Sequence, residues 1–143
     1  MYNTIVNSVF NRSLIALTYK GKILLTHQDP IPPTTVFKQK IWSFIETEKA
    51  ENESFEETLC KKVIKEASIG LNNVEFVSTA SLDNQIIRFY HAQLTDKNVN
   101  EINRGEGQLL DFFSLKELKS LMLRDSTRLF VKNHKDIFEK ASE

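Results

Sequence analysis

The stretch from Glu53 to Gly70 constrains the fold most, because it reads as one helix with its start and its buried face both marked. Ser54 carries a hydroxyl that can accept from the free N–H groups of a first helical turn, and Glu57 follows three residues on, the spacing of a capping box. Glu56 and Glu57 fall at the positive end of the helix dipole. Phe55, Leu59, Val63 and Ala67 recur every four residues, with Cys60 and Ile64 beside them, which predicts one apolar stripe for burial and a helix running to about Ala67. Lys61, Lys62, Lys65 and Glu66 flank that stripe. Glu57–Lys61 and Lys62–Glu66 are spaced to pair one turn apart.

Strand signals lie on both sides of this helix. Ser13 to Thr18 and Lys22 to Thr26 are rich in Leu, Ile and Thr and flank Tyr19-Lys20-Gly21, the pattern of a hairpin. The prolines of Asp29 to Pro33 cannot donate ladder bonds, so a loop is expected there, leading to a short strand near Gln39 to Phe44. Val74 to Ala80 and Gln85 to Leu94 read as strands, the second weighted by Ile86, Ile87, Phe89 and Tyr90. Asp96 to Gly107 is polar and Asn-rich and is expected to be a long surface loop. Gln108 to Phe113 returns as a strand, Ser114-Leu115-Lys116-Glu117 opens a short helix, and Ser126 to Lys140 suits one final amphipathic helix. The sum is a mixed α+β chain, expected to form a single domain over residues 1–143.

Composition narrows the function classes. Lys plus Arg and Asp plus Glu number 19 each, so the formal net charge is zero, which argues against a strongly basic nucleic-acid binder. The one cysteine, Cys60, excludes an intramolecular disulfide and a cysteine-based zinc site, and fits a reducing, cytoplasmic setting. It lies beside the helical stripe, where a buried, inert thiol is expected. Apolar runs fall far short of the roughly 20 residues that cross a bilayer. The start, Met1-Tyr2-Asn3-Thr4, lacks the basic then apolar layout of a signal peptide. His27, His91 and His134 have no spacing suited to zinc or to a catalytic triad.

Taken in order, the hairpin, Trp42-Ser43-Phe44, Glu53-Ser54, the charged helix and the Gly105-Glu106-Gly107 loop resemble the Nudix (MutT-type) family. That resemblance implies an α/β/α sandwich with a mixed sheet and a loop–helix–loop box, G-x5-E-x7-R-E-U-x-E-E-x-G-U, where U is bulky and apolar. Members typically cleave a nucleoside diphosphate linked to another group, using Mg²⁺ (or Mn²⁺) held by glutamates on the box helix. Laid on this chain without gaps, the box puts Thr47 at its first Gly, Glu53 at its loop Glu and Lys61-Lys62 at Arg-Glu. Val63 takes the first apolar position, Lys65-Glu66 the Glu-Glu pair, Ser68 the second Gly and Ile69 the last apolar place. Only Glu53, Val63, Glu66 and Ile69 match, and Lys61 keeps the charge of the arginine. Ile45-Glu46-Thr47 replaces the Pro-Gly-Gly that often precedes the box.

The departures fall where the chemistry would be. Magnesium needs hard oxygen ligands, and residues 62 and 65 carry ammonium groups that repel a cation. Two readings follow from the resemblance. As an enzyme, the chain would use Glu53, Glu66 and Glu106 as its acidic catalytic groups, with Glu66 the surviving Mg²⁺ ligand and Lys61 on phosphate. As a binding or regulatory module, it would hold a small-molecule nucleotide or a protein partner through Lys61, Lys62 and Lys65, fixed positive charge taking the place of the metal bridge. These lysines equally suit a plain solvated helix face. Their loss of carboxylates tilts the expectation towards weakened or absent metal-dependent hydrolysis. Trp42, Phe44 and Phe37 offer either a face for base stacking or core. Pairing with a second copy is left open.

Overall fold

Every residue from Ser13 to Thr18 is buried, which makes β1 (Arg12–Tyr19) the central strand. The structure, a computed structural model, describes residues 11–28, 41–102 and 108–141. Side chains alternate across a strand, so Leu14 and Ala16 enter one core while Ile15 and Leu17 enter another on the opposite face. A strand covered on both faces reads as a continuous apolar run, as Leu14-Ile15-Ala16-Leu17 does.

β1 turns through Lys20 and Gly21, both at positive φ (44° and 78°), into antiparallel β2 (Lys22–Gln28), the hairpin expected from the sequence. Its other edge is taken by β6 (Gln85–Gln93), which runs parallel from Arg12↔Ile87 to Thr18↔Gln93. With β5 (Glu75–Leu82) and β7 (Gln108–Phe113) the order is β5-β6-β1-β2-β7, a mixed sheet. β4 (Ile45–Glu48) also pairs with β1, over Arg12 to Ile15, while β2 pairs with it over Leu17 to Tyr19. Since β6 fills one edge of β1, β2 and β4 divide the other, and the sheet forks there. β3 (Ile41–Trp42) leaves this sheet and pairs in parallel with β8 (Met122–Leu123), and Ser43 exchanges backbone hydrogen bonds with Thr26 at 2.8 and 2.9 Å.

Helices cover both faces. α1 (Phe55–Ala67) lays Leu59, Val63 and Ala67 on Ile15, Leu17, Tyr90 and Leu110. On the other face α3 (Asp125–Asn133) and α4 (Lys135–Ala141) bring Phe130 and Phe138 onto Leu14, Leu25, Phe44 and Phe89. The result is the expected α/β/α sandwich.

Several local expectations are corrected. Thr95 caps a short helix, α2 (Asp96–Asn100), within the segment expected to be loop: its Oγ accepts from Asn98 N–H (3.1 Å) while Asn98 Oδ1 accepts from Thr95 N–H (3.0 Å). An asparagine performs the return bond usually read from Glu or Gln. The final helix is two, because His134 leaves helical backbone (φ −133°, ψ 45°), and its Nε2 lies 2.8 Å from Ser78 Oγ. The helix after Ser114 is a single 3₁₀ turn, Glu117–Ser120. Ile64, expected beside the stripe, is 53% exposed, whereas Thr58 and Glu66 are buried. At 100° per residue Glu66 lies closer to the Leu59–Val63 line than Ile64 does.

Candidate functional site

The fork between β2 and β4 opens a cleft of about 430 Å³, floored by Thr26, Ser43, Phe44 and Glu46 and closed by Lys62 and Glu66 of α1 and by Arg124. α1 is aimed at it by local chemistry. Ser54 and Glu57 make the full capping box, each side chain accepting from the other's N–H at 3.1 Å, which fixes where the helix begins. Glu66, inside the buried arc, then reaches the cleft one turn beyond Lys62.

Lys62 Nζ stands 3.4 Å from Glu66 Oε1, with both side chains largely covered. Glu46 enters from β4, one residue ahead of the position laid on the box's first Gly. Its Oε2 accepts from Arg12 Nε (3.0 Å) and Nη2 (2.7 Å), and its Oε1 from Ser126 Oγ (2.5 Å). This two-pronged arginine pair, 5% exposed on the carboxylate side, ties β1, β4 and α3 together. Arg124, between β8 and α3, is exposed. Its backbone is fixed by N–H donation to Trp42 O (2.9 Å), and no ion pair engages its guanidinium among the described residues.

The remaining sequence-derived candidates sit elsewhere. Glu53 and Lys61 pair with each other, and Glu53 also accepts from Thr58 Oγ1 (2.8 Å), which in turn accepts from Ala50 N–H (3.1 Å). The Lys61 hydrogen bond, followed by that of Thr58, holds the Glu53 carboxyl below its usual range, and the same pairing raises Lys61. Together they pin the loop before α1 to the helix, away from the cleft. Lys65 is exposed and lines neither this cleft nor the one beside it. Glu106 and Phe37 lie outside the described residues. Phe44 is core, and Trp42 packs edge-on to Phe113 (4.9 Å) and His27 (5.5 Å). Cys60 is half-buried, and burial raises its thiol pKa.

Glu46 and Arg124 were missed in the sequence. A signal for Glu46 existed: it falls in the triplet that replaces Pro-Gly-Gly, so a carboxylate stands where the family leaves a bare backbone. Arg124 follows a two-residue strand that nothing in the sequence announces.

Magnesium asks for six oxygens in near-octahedral array. Among the described residues no three of His, Cys, Asp and Glu stand close enough to share a metal. Among the described residues two carboxylates line the cleft: both oxygens of Glu46 are engaged by Arg12 and Ser126, and Glu66 faces the ammonium of Lys62. This donor set does not fit the ion. The charges lining the cleft among the described residues balance, Lys62 and Arg124 against Glu46 and Glu66, and Glu46 is engaged by Arg12, which also pairs with Glu48.

The architecture is the Nudix fold. A NUDIX hydrolase from Nitrosomonas europaea superposes with a TM-score of 0.68 at 12% identity, over 89% of each chain. A MutT structure from work on Aliivibrio salmonicida and Vibrio cholerae gives 0.66 at 13% identity, covering 92% of this chain and 95% of the other. The NUDIX domain of Shewanella oneidensis NrtR, complexed with ADP ribose, gives 0.66 at 12% identity, covering 89% of this chain and 86% of that one. At these identities the likeness is one of fold. No protein-family model and no curated sequence matches the chain. No helix among the described residues is long and apolar enough to cross a membrane.

Proposed function

We propose that this chain is a divergent member of the Nudix superfamily. In this reading it binds a nucleoside diphosphate linked to another group, and the metal-dependent hydrolysis of the family is lost. One observation carries the proposal: Lys62, at a position where the box has a carboxylate, places its ammonium in the cleft beside Glu66. An ammonium there donates to phosphate directly and occupies the place in which a divalent cation would bridge phosphate to protein. Glu66 holds Lys62 in place until phosphate competes for it. Glu53 and Lys61 support the site from outside by fixing the loop and the start of α1. The ADP ribose held by the Shewanella domain supports a ligand of this class on this fold. The resulting role is that of a nucleotide-responsive module.

Titration calorimetry with a panel of nucleoside diphosphates and their derivatives, in Mg²⁺ and in EDTA, tests this reading. Affinity is expected to be the same in both buffers, and Lys62→Glu is expected to weaken it about tenfold or more, a loss of ~1.4 kcal/mol or greater. Binding that requires Mg²⁺, or release of nucleoside monophosphate abolished by Glu66→Gln, would instead establish the hydrolase reading.

A further inference from the structure

A groove of about 630 Å³ lies between the 3₁₀ turn and β8 on one wall and α3 and α4 on the other, and it shares no lining residue with the cleft. Leu115, Leu118, Leu121, Leu123 and Val131 give it an apolar floor, and Lys119, Arg128, Lys132 and Lys135 stand exposed around it. We propose that this groove docks an acidic amphipathic helix of a partner protein, its apolar anchors filling the floor and its flanking carboxylates meeting the lysines. The inference is independent of how the first cleft is read.

The sequence sets apolar and basic residues side by side here. On α3, Arg128 and Lys132 are one turn apart and Val131 lies between them, so a basic row runs along an apolar one, and Lys135 extends it at the start of α4. Leu115, Leu121 and Val131 pack against the aromatic core and keep part of their surface open. Met122 at the edge is 46% exposed, and its ladder partner Ile41 is 51% exposed, so apolar surface continues past the groove. Apolar surface rimmed by charge marks a contact site, and methionine adapts its shape to an incoming side chain.

Charge selects the occupant. Four lining residues are cationic and Glu139 is anionic, a local excess in a chain of zero net charge. Asp125 holds Arg128 at 3.2 Å, which leaves Lys119, Lys132 and Lys135 with no ion pair among the described residues. Those three stand on both walls, Lys119 on the 3₁₀ turn and the others on the helices, so a single-headed anionic amphiphile would satisfy one wall only. An acidic amphipathic helix presents carboxylates on both sides of its apolar stripe. At about 10 Å across, it would lie over the groove and insert its anchors, since the volume suits a few large side chains. A second copy docking through α1 would bring the exposed Lys61 and Lys65 against like charge.

The experiment titrates the full chain with a panel of labelled synthetic helices about five turns long, with Leu or Phe anchors at i, i+4 and i+7 and Glu on both flanks. Controls are the same peptides scrambled, counterparts with Lys for Glu, and decanoate. An acidic helix is expected to bind about tenfold tighter than its scrambled form, more weakly as salt rises, and to move the amide NMR shifts of Leu121, Met122 and Val131. The double variant Lys132→Glu, Lys135→Glu and, separately, Met122→Glu are each expected to weaken binding about tenfold, with thermal melts confirming the fold. Equal binding by scrambled or Lys-flanked peptides, no binding by any acidic helix, or groove shifts moved by decanoate alone would overturn the proposal. Self-association in sedimentation that Met122→Glu abolishes would overturn it in favour of a second copy. None of these outcomes alters the calorimetric test of the first cleft.

Discussion

His91 shows how burial alone makes one side chain a pH-dependent liability. It sits on β6 with its Nε2 2.9 Å from Thr18 Oγ1, and desolvation pulls its pKa below the ordinary 6.5, only partly offset by the Glu75 carboxylate. The folded chain therefore refuses a proton that the unfolded chain accepts. The stabilisation is complete above about pH 6.5 and is lost as pH falls through the lower folded value. Thermal melts between pH 7.5 and 5 are expected to show wild type losing stability with acid more steeply than His91→Gln, about one proton's worth of slope separating them. Parallel curves would remove His91 from the account. Ser68 poses a different residue-scale problem. It ends α1 in left-handed backbone (φ 63°, ψ 29°), at the box position that is glycine in the family. Strain at a non-glycine residue there exceeds the entropy that glycine costs in the unfolded chain, so Ser68→Gly is expected to raise the urea midpoint by about 0.5–1 kcal/mol of stability.

Among the elements, α1 was the most legible, because its cap, dipole charges and stripe all point to the same boundaries. Ser54 caps it and Ala67 is its last residue, as the sequence indicates. The β1–β2 hairpin was equally clear, since it joins β-rich runs through a short polar turn, and β5 and β6 were each legible as strands. What sequence could not show was β4. Ile45-Glu46-Thr47 carries no strong strand signal, and these residues are extended because Leu14↔Glu46 and Ser13↔Thr47 pair across to β1, a contact between distant segments. Once this stretch is a regular strand, the glycines of the family's turn are no longer required, and Glu46 has room to meet Arg12. Of the site, Lys62 and Glu66 were found through the box alignment. Arg124 was not, because its placement depends on the β3–β8 pairing. Arg88 shows the same limit: its guanidinium lies 4.8 Å from the Phe55 ring, 4.5 Å from Phe76 and 5.7 Å from Tyr90, joining α1 to β5 and β6 through contacts no local pattern encodes.

For the whole molecule, the forked sheet is held between two cores, and the site depends on both. The core beneath α3 and α4 is aromatic: Phe130 stacks on Phe89 at 4.6 Å and meets Phe44 edge-on at 5.4 Å. Phe44 N–H donates to Thr127 Oγ1 at 2.9 Å, so the link between β3 and β4 that floors the cleft is fastened to α3 through this core. Phe130→Ala is expected to cost about 3–5 kcal/mol in urea unfolding and to loosen nucleotide binding through the displaced floor. The opposite core sets α1 over the sheet and so sets the depth at which Lys62 and Glu66 stand. Under the proposed function, such a scaffold would keep a phosphate-binding cleft with the metal ligands of the box replaced. The most direct test of that claim is calorimetry with the preferred nucleoside diphosphate derivative in Mg²⁺ and then in EDTA, with each sample assayed by chromatography for nucleoside monophosphate. The account predicts equal affinities in the two buffers and an unchanged ligand after prolonged incubation. Affinity that collapses in EDTA, together with Mg²⁺-dependent cleavage, would contradict it.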